Sequence, residues 1–519
     1  MASADNADAI VIGSGPNGLV AATLLARAGW SVTVLERNAK TGGAVASDEL
    51  TVPGYVHDTF SAFYGLLHAS PVFRELGLDK RVDWATFATP VAAAVEPGSI
   101  GYVHTSVDDT VRDLNAIAAG DGEAWRELVT WWDKIGRHFL DMTLRPLPSL
   151  RPLLRVGRAA KVRGGLELAQ TMLAPIEAVA AHKFRSAVGQ SLIASGACHA
   201  DLSVTAAGSA PGALILAMAA QRGNMPVPVG GAGRLAEAMT AAATDAGCTI
   251  VTDASVARVV IRGNKAVGVE TADGRAFSAK RAVVADTHAH RLFHDLVGDD
   301  NLPASFLDAL RWFRPGSGMF RMDVALDGNA PWSDEGLSRA GVIHIVGTTE
   351  DMGRAAAETA ARILPSAPLL VVGQQSIADA TRAPAGGQTL WIETHVPPRP
   401  REGAWSEVRD AFADNVLDRI EKFAPELRSR IVGVAVNTPP DLEALNPNLV
   451  DGDLAGGGIA LHQQLVFRPA RGWFRYATPV KGLYLCSASA HPGGGVHGMG
   501  GRNCAHRILK FRPIPGREK

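Results

Sequence analysis

At 519 residues the chain is long enough for two or more domains and a large buried core. Its 47% hydrophobic and 20% charged content is that of a soluble globular protein and excludes the disordered and fibrous classes. Lys and Arg number 51 against 52 Asp and Glu, so no overall field draws in nucleic acid or an acidic partner.

The amino terminus, "MASADNAD", lacks the basic stretch and apolar run of a secretory signal and the Arg-rich character of a transit peptide, and is expected to be a loose end. "DAIVI" at 8–12 is a short apolar β-type run; "GSGPNG" follows, then "LVAATLLARAG" with helical spacing and "SVTVLE" as a second strand. In this βαβ unit Gly13, Gly15 and Gly18 fill G-x-G-x-x-G. The first allows the tight turn, the second lets a pyrophosphate approach the backbone, and the third lets helix pack on strand, with the helix amino terminus facing the phosphate. Glu36 ends the second strand, placed to accept hydrogen bonds from a ribose diol. The order of strand, helix, strand and acid predicts dinucleotide binding. Gly42 and Gly43 form a second glycine pair just beyond.

"GYVHDTFSAFYGLLH" then offers His57, Asp58 and Tyr64. Residues 71–224 carry less pattern and many apolar helices. Within them "LRPLPSLRPLLRVGRAAKVRGG", 144–165, interleaves Arg145, Arg151, Arg155, Arg158, Lys161 and Arg163 with leucines and prolines and has no acid. It is a candidate peripheral contact with an anionic membrane, where each basic residue contributes about 1 kcal/mol; a solvated face or a subunit contact is the alternative. Pro146, Pro148 and Pro152 preclude one continuous amphipathic helix. "APGALILAMAA" at 210–220 is too short to span a bilayer and reads as a buried helix. Gly230, Gly231 and Gly233 precede another helix, and three strand-like runs follow, separated by "RGNK" and "ADGR" turns. G-G-x-G followed by Arg234 is not the dinucleotide pattern, so no second, NAD(P) domain is expected. Residues 291–470 again carry little pattern. "GLYLCSASAHPGGGVHGMGGRNCAHRIL", 482–509, reads as strand, glycine-rich turn and helix, with six glycines, His491 and His497 inside 491–501. Glycine is the costliest residue to order, so a stretch this bare implies backbone brought close to something. Cys198, Cys248, Cys486 and Cys504 form neither a C-x-x-C pair nor a metal-ligand spacing, which fits a reducing, cytoplasmic setting without disulfides or zinc.

"GSGPNGLVAATLLARAGWSVTVLERNAKTGGAVAS" resembles the amino terminus of the phytoene desaturase-related FAD-dependent oxidoreductases, and the 482–509 stretch resembles their carboxyl-terminal FAD signature. The resemblance runs from about residue 8 to 510 and departs at Ala44, where many relatives carry Arg. "TGGAVAS" and "HPGGGVHGMGG" look closest to the pyridine nucleotide-disulphide oxidoreductase domain-containing 2 subgroup, although no redox C-x-x-C is present. It implies an α/β fold: a Rossmann-like FAD-binding domain of the glutathione-reductase/amine-oxidase type, discontinuous over 1–70, 225–290 and 471–519. An α+β substrate or cap domain would take 71–224 and 291–470. FAD would lie with its pyrophosphate on Gly13, Gly15, Gly18, Gly42 and Gly43, its ribose on Glu36, its adenine beside Val256, and its ring system beside Gly494, Gly495 and Val496.

There is no G-x-S-x-G elbow, P-loop, H-E-x-x-H or Cys/His cluster, so the cofactor carries the chemistry. The resemblance implies oxidation of a CH–CH bond in a polyene- or isoprenoid-like substrate, or a related reduction or isomerisation, with hydride passing to flavin N5 and electrons leaving to oxygen or a quinone. His491 and His497 are candidates to accept or relay the proton, and Tyr64 is a third candidate catalytic residue; a structural hydrogen bond is the plainer role for the histidines and a structural turn for Tyr64. A flavin amine oxidase, and a flavin-fold protein that binds a lipid or partner without turnover, are the alternatives.

Overall fold

Residues 6–148, 151 and 165–509 are described by a computed structural model. Of the basic segment, Pro152, Arg155, Arg158, Lys161 and Arg163 lie outside the described residues. The run "AIVI" ends the strand β1 (Asn6–Ile12), and all four of its residues are buried, as a strand covered on both faces requires. Pro16 opens the helix α1 (Pro16–Arg27), where its missing N–H breaks no bond and its φ is preset. Leu19, Val20, Ala22 and Leu25 are buried, and after the helix β2 (Val32–Leu35) runs parallel to β1 with Val34 opposite Val11.

β1 sits inside a seven-stranded sheet assembled from distant stretches of chain. Thr249–Val251 runs parallel beside β2, and Ala276–Ala285 runs parallel on the other side of β1. The ten residues of Ala276–Ala285 allow two further pairings. Its start meets Lys265–Thr271 antiparallel, which continues into Val256–Arg262, and its end meets Leu483–Leu485 parallel. The last helix, Met499–Ile508, lies against α1 with backbone touching backbone: a Cβ at Gly501 would sit 2.0 Å from the Asn17 carbonyl oxygen, and one at Gly500 2.4 Å from that of Cys486.

A second seven-stranded sheet runs Ile431–Asn437, Gly318–Leu326, Gln388–Val396, Leu370–Gly373, Ala340–Ile345, Thr89–Glu96, Ser99–Val103. Only Ala340–Ile345 and Thr89–Glu96 pair in parallel. Side chains alternate between its faces. Phe320, Met322, Val324, Ile343 and Ile392 pack on the helix Trp405–Glu421. Val342, Val371 and Trp391 turn the other way, onto the core that contains Leu192 and Ile193 of the helix Ala187–His199. The architecture is α/β: a Rossmann-like sheet joined to a mixed sheet with helices.

Candidate functional site

A cleft opens past the carboxyl ends of β1 and β2, where open α/β sheets bind ligands. Gly13, Gly15, Glu36 and Gly43 line it, as do Val256, Gly495 and Val496. The two amino-terminal glycine loops meet there. The Gly42 N–H donates to the Ser14 carbonyl at 3.1 Å, Gly42 and Gly43 have φ of +120° and +58°, and a Cβ on Gly43 would come within 2.9 Å of the Gly15 Cα. A Cβ on Gly15 would meet Oδ2 of Asp286 at 2.6 Å, and one on Gly18 the Gly13 carbonyl oxygen at 2.3 Å. Any side chain would fill this cradle.

Glu36 is buried. Its Oε2 accepts from both the Ser14 N–H (3.0 Å) and the Ser14 hydroxyl (2.6 Å), while Oε1 accepts from the Asn38 N–H (2.9 Å). One lone pair of Oε1 stays available for a ribose hydroxyl. Asp286 follows directly on the strand Ala276–Ala285 and accepts the Gly18 N–H at 2.7 Å. Burial pushes its carboxyl up to about 7, with the nearby Glu36 adding to the rise and the Gly18 N–H opposing it. His288 accepts the His290 N–H on Nδ1 at 3.2 Å, and burial lowers its pKa to about 3, so the ring is neutral with its hydrogen on Nε2. That Nε2 is buried without a partner, as is the Thr287 hydroxyl, and both residues line the cleft. Bare glycine backbone, a carboxylate at the ribose position and orphaned donors fit a dinucleotide pyrophosphate.

The model of the flavin containing amine oxidoreductase family matches residues 18–509. The chain belongs to this family. FAD is the cofactor of this flavoprotein, and Gly13, Gly15, Gly43, Glu36 and His288 line the cleft whose chemistry fits its nucleotide. Among similar proteins, a rat pyridine nucleotide-disulfide oxidoreductase domain-containing protein 2 is 29% identical, covering 97% of this chain and 93% of the rat protein. One component of the limonene dehydrogenase of Castellaniella defragrans is 24% identical over 98% of this chain and 96% of its own. Among solved structures, an oxidoreductase from Methanosarcina mazei superposes with a TM-score of 0.61 at 15% identity, covering 97% of this chain and all of that one (100%), a likeness of fold.

In the flavoprotein the glycine-rich carboxyl-terminal loop divides its labour. Gly495 and Val496 line the cleft, whereas Gly494 packs on the backbone of Ala455, where a Cβ would lie 2.8 Å from the carbonyl oxygen. His497 is buried, takes the Met499 N–H on Nδ1 at 3.1 Å at the start of the last helix, and its carbonyl accepts the Ser70 hydroxyl at 2.7 Å. Burial lowers its pKa to about 4. His491 bonds through Nε2 to the Arg145 carbonyl at 2.9 Å, its pKa also lowered to about 4 by burial, and its Nδ1 is buried without a partner. The Tyr64 phenol is bonded to Ser61 (2.9 and 3.0 Å), and burial pushes its pKa up. None of these three side chains is among those lining the cleft.

Three of the donors in the Gly230–Gly233 loop are taken by side chains. The Ala232 N–H donates to Asp58 Oδ1 (2.7 Å), Gly233 to Ser47 Oγ (2.9 Å) and Gly230 to Asp379 Oδ2 (2.7 Å), with Arg382 paired to both acids at 3.0 and 2.7 Å. Asp58 is thus a helix cap, and His57, bonded to Thr51 at 2.9 Å and held low in pKa by burial, lies beside the buried Arg321–Asp323 pair. Sequence reasoning missed Asp286, Thr287, His288 and Arg468. Arg468 is fully buried, and its guanidinium donates to the carbonyls of Ala455, Gly456, Gly457, Gly458 and Ala488. It thereby ties two loops together at the cleft wall, where Gly456 and Ala488 stand. The triple glycine at 456–458 was the available signal.

Proposed function

We propose that this flavoprotein oxidises a CH–CH bond of an apolar, polyene- or isoprenoid-like molecule to C=C, as a desaturase or, run in reverse, a saturase, with electrons leaving to oxygen or a quinone. Bound FAD supplies the hydride acceptor at N5. One observation carries the reading. Beyond the pyrophosphate cradle the cleft is walled by Ala44, Leu449 and Leu454, which pack with Phe60, Met319 and Leu442 into an uncharged cluster. Such a wall carries no charge and offers apolar surface to a substrate. Limonene, for which one similar dehydrogenase is named, is an apolar hydrocarbon of this class. Anaerobic titration of the purified protein with a polyene and terpene panel should bleach the flavin's visible absorbance. Bleaching by amines alone would overturn the reading in favour of an amine oxidase.

An apolar substrate partitions into membranes, and one surface suits its collection. Leu461, Leu465, Val466 and Phe467 are exposed, and Leu461 packs on Gly208, whose N–H bonds to the carbonyl of the exposed Leu173. No helix among the described residues is long and apolar enough to cross a membrane. This apolar patch and the basic residues between 145 and 163 support reversible contact with an anionic bilayer.

A further inference from the structure

Arg468 is fully buried, and every hydrogen bond of its guanidinium ends on a carbonyl oxygen. Nε and Nη2 donate to Ala488 at 3.0 and 2.8 Å, Nη1 to Gly458 at 2.9 Å, and Nη2 also to Ala455, Gly456 and Gly457, each at 3.2 Å. The guanidinium carbon lies 5.1 Å from the centre of the Phe313 ring. No carboxylate among the described residues bonds to it. Burial lowers its pKa to about 10, which leaves it charged at neutral pH. A whole positive charge therefore stands inside the fold, bonded to carbonyl dipoles alone.

Two of those carbonyls fix where the charge stands relative to the cleft. Gly456 and Ala488 both line it, so the cation is one peptide group behind its surface. A Cβ at Gly493 would lie 3.7 Å from Nε, which brings the cation beside the glycine-rich carboxyl-terminal loop as well. The acid whose field reaches Arg468 is Asp453. Its carboxylate accepts the N–H groups of Gly316 (2.8 Å), Ala455 (2.7 Å) and Gly457 (2.8 Å), none of which lines the cleft. Of the two charges, the positive one is in contact with the cleft wall.

The residues lining the cleft follow the order of the sheet: Glu36 after β2, Gly13 and Gly15 after β1, Asp286 to His288 after Ala276–Ala285, and Ser487 to Ser489 after Leu483–Leu485. Three strand spacings, roughly 14 Å, separate the first from the last. A dinucleotide with its ribose at Glu36 and its pyrophosphate on Gly13 and Gly15 has the last strand's side left for its second half. In FAD that half carries the flavin ring. We infer that Arg468 sets the reduction potential of the bound flavin, its buried charge favouring the reduced ring, which has gained a hydride and with it one negative charge, over the uncharged oxidised ring. The inference needs FAD in the cleft and holds for any substrate.

A unit charge about 10 Å away, at an effective dielectric constant of about 20, moves an equilibrium about tenfold. For a two-electron couple that is about 30 mV. The midpoint potential of the FAD-loaded protein can be read from its visible spectrum against a reference dye during slow anaerobic reduction. Arg468→Met keeps the reach of the side chain and removes the charge. It should bind reduced FAD about tenfold less tightly relative to oxidised FAD, a fall of about 30 mV. Arg468→Lys keeps the charge but cannot serve five carbonyls, so it should melt at a lower temperature and still hold most of the native potential. An equal fall in both variants would assign the effect to the shape of the loops, and no fall in the Met variant would leave the charge without effect; either result overturns the inference. If Arg468→Met does not take up FAD, the native protein decides: its potential must lie above that of free FAD, and a value at or below it overturns the inference.

Discussion

Asp286 places a carboxyl against the phosphate cradle, and Asp286→Asn isolates its effect. The amide keeps an acceptor for the Gly18 N–H, bonded at 2.7 Å in the native chain, but removes the ionisation. The native carboxyl, raised from 3.8 to about 7 chiefly by burial, holds its proton over a range in which the unfolded chain has lost it. The folded state therefore binds more protons between these values, and stability falls as pH rises from about 4 to 7 and is level above. Three pKa units amount to about 4 kcal/mol. In a chain of this length that is about 4 °C in Tm. With the flavin stripped, the variant should match the native protein near pH 4.5 and melt about 4 °C higher at pH 8; at pH 8 it should also bind added FAD more tightly, because a negative carboxylate no longer faces the pyrophosphate. Parallel stability curves from pH 5 to 8 would refute the argument, since they would mean that Asp286 ionises as easily in the fold as in water.

Gly15→Val puts a side chain into the cradle, where even a Cβ would stand 2.6 Å from Asp286 Oδ2, and should abolish FAD binding; a variant that keeps full flavin absorbance would falsify the assignment of the cradle. His497→Ala deletes the acceptor of the Met499 N–H and should cost about 1 kcal/mol, as lost helix caps do, with FAD content and turnover falling together. Turnover lost at full FAD content and unchanged stability would instead make His497 a proton relay. In flotation with anionic liposomes the native protein should rise at low salt and not at high salt, and a variant with Arg151, Arg155, Arg158 and Arg163 changed to Gln should stay down; native protein that never floats removes the membrane reading.

The βαβ unit was legible because all its signals are local: an apolar run, a glycine turn, helical spacing and a terminal acid follow one another along a single short stretch. The cleft's other walls were not, because tertiary pairing brings them in. Asp286 and His288 look like ordinary polar residues after a strand until Ala276–Ala285 is laid beside β1. Arg468 matters only because five carbonyls from separate loops converge on it. The glycine-rich "HPGGGVHGMGG" led sequence reasoning to turn the whole stretch toward the cofactor. In the fold Gly495 lines the cleft, while Gly500 and Gly501 let the last helix touch the backbone of Asn17 and Cys486. Composition alone does not separate backbone bared for a ligand from backbone bared for a neighbouring helix. His491 and His497 make the hydrogen bonds that were the plainer of their two expected roles: burial keeps both neutral, and backbone groups occupy Nε2 of one and Nδ1 of the other.

The pairing of Ala276–Ala285 with Leu483–Leu485 also sets a timetable for biosynthesis. On the ribosome, at about 5–20 residues per second, roughly ten to forty seconds separate the making of residue 285 from that of residue 485. Until then the end of Ala276–Ala285 is an unpaired parallel edge open to other chains. The second sheet, whose strands lie between residues 89 and 437, can form during that wait. The cleft, which Gly495 and Val496 help to line, is completed after it, so the nucleotide sheet is the part of the chain left longest open to misassembly.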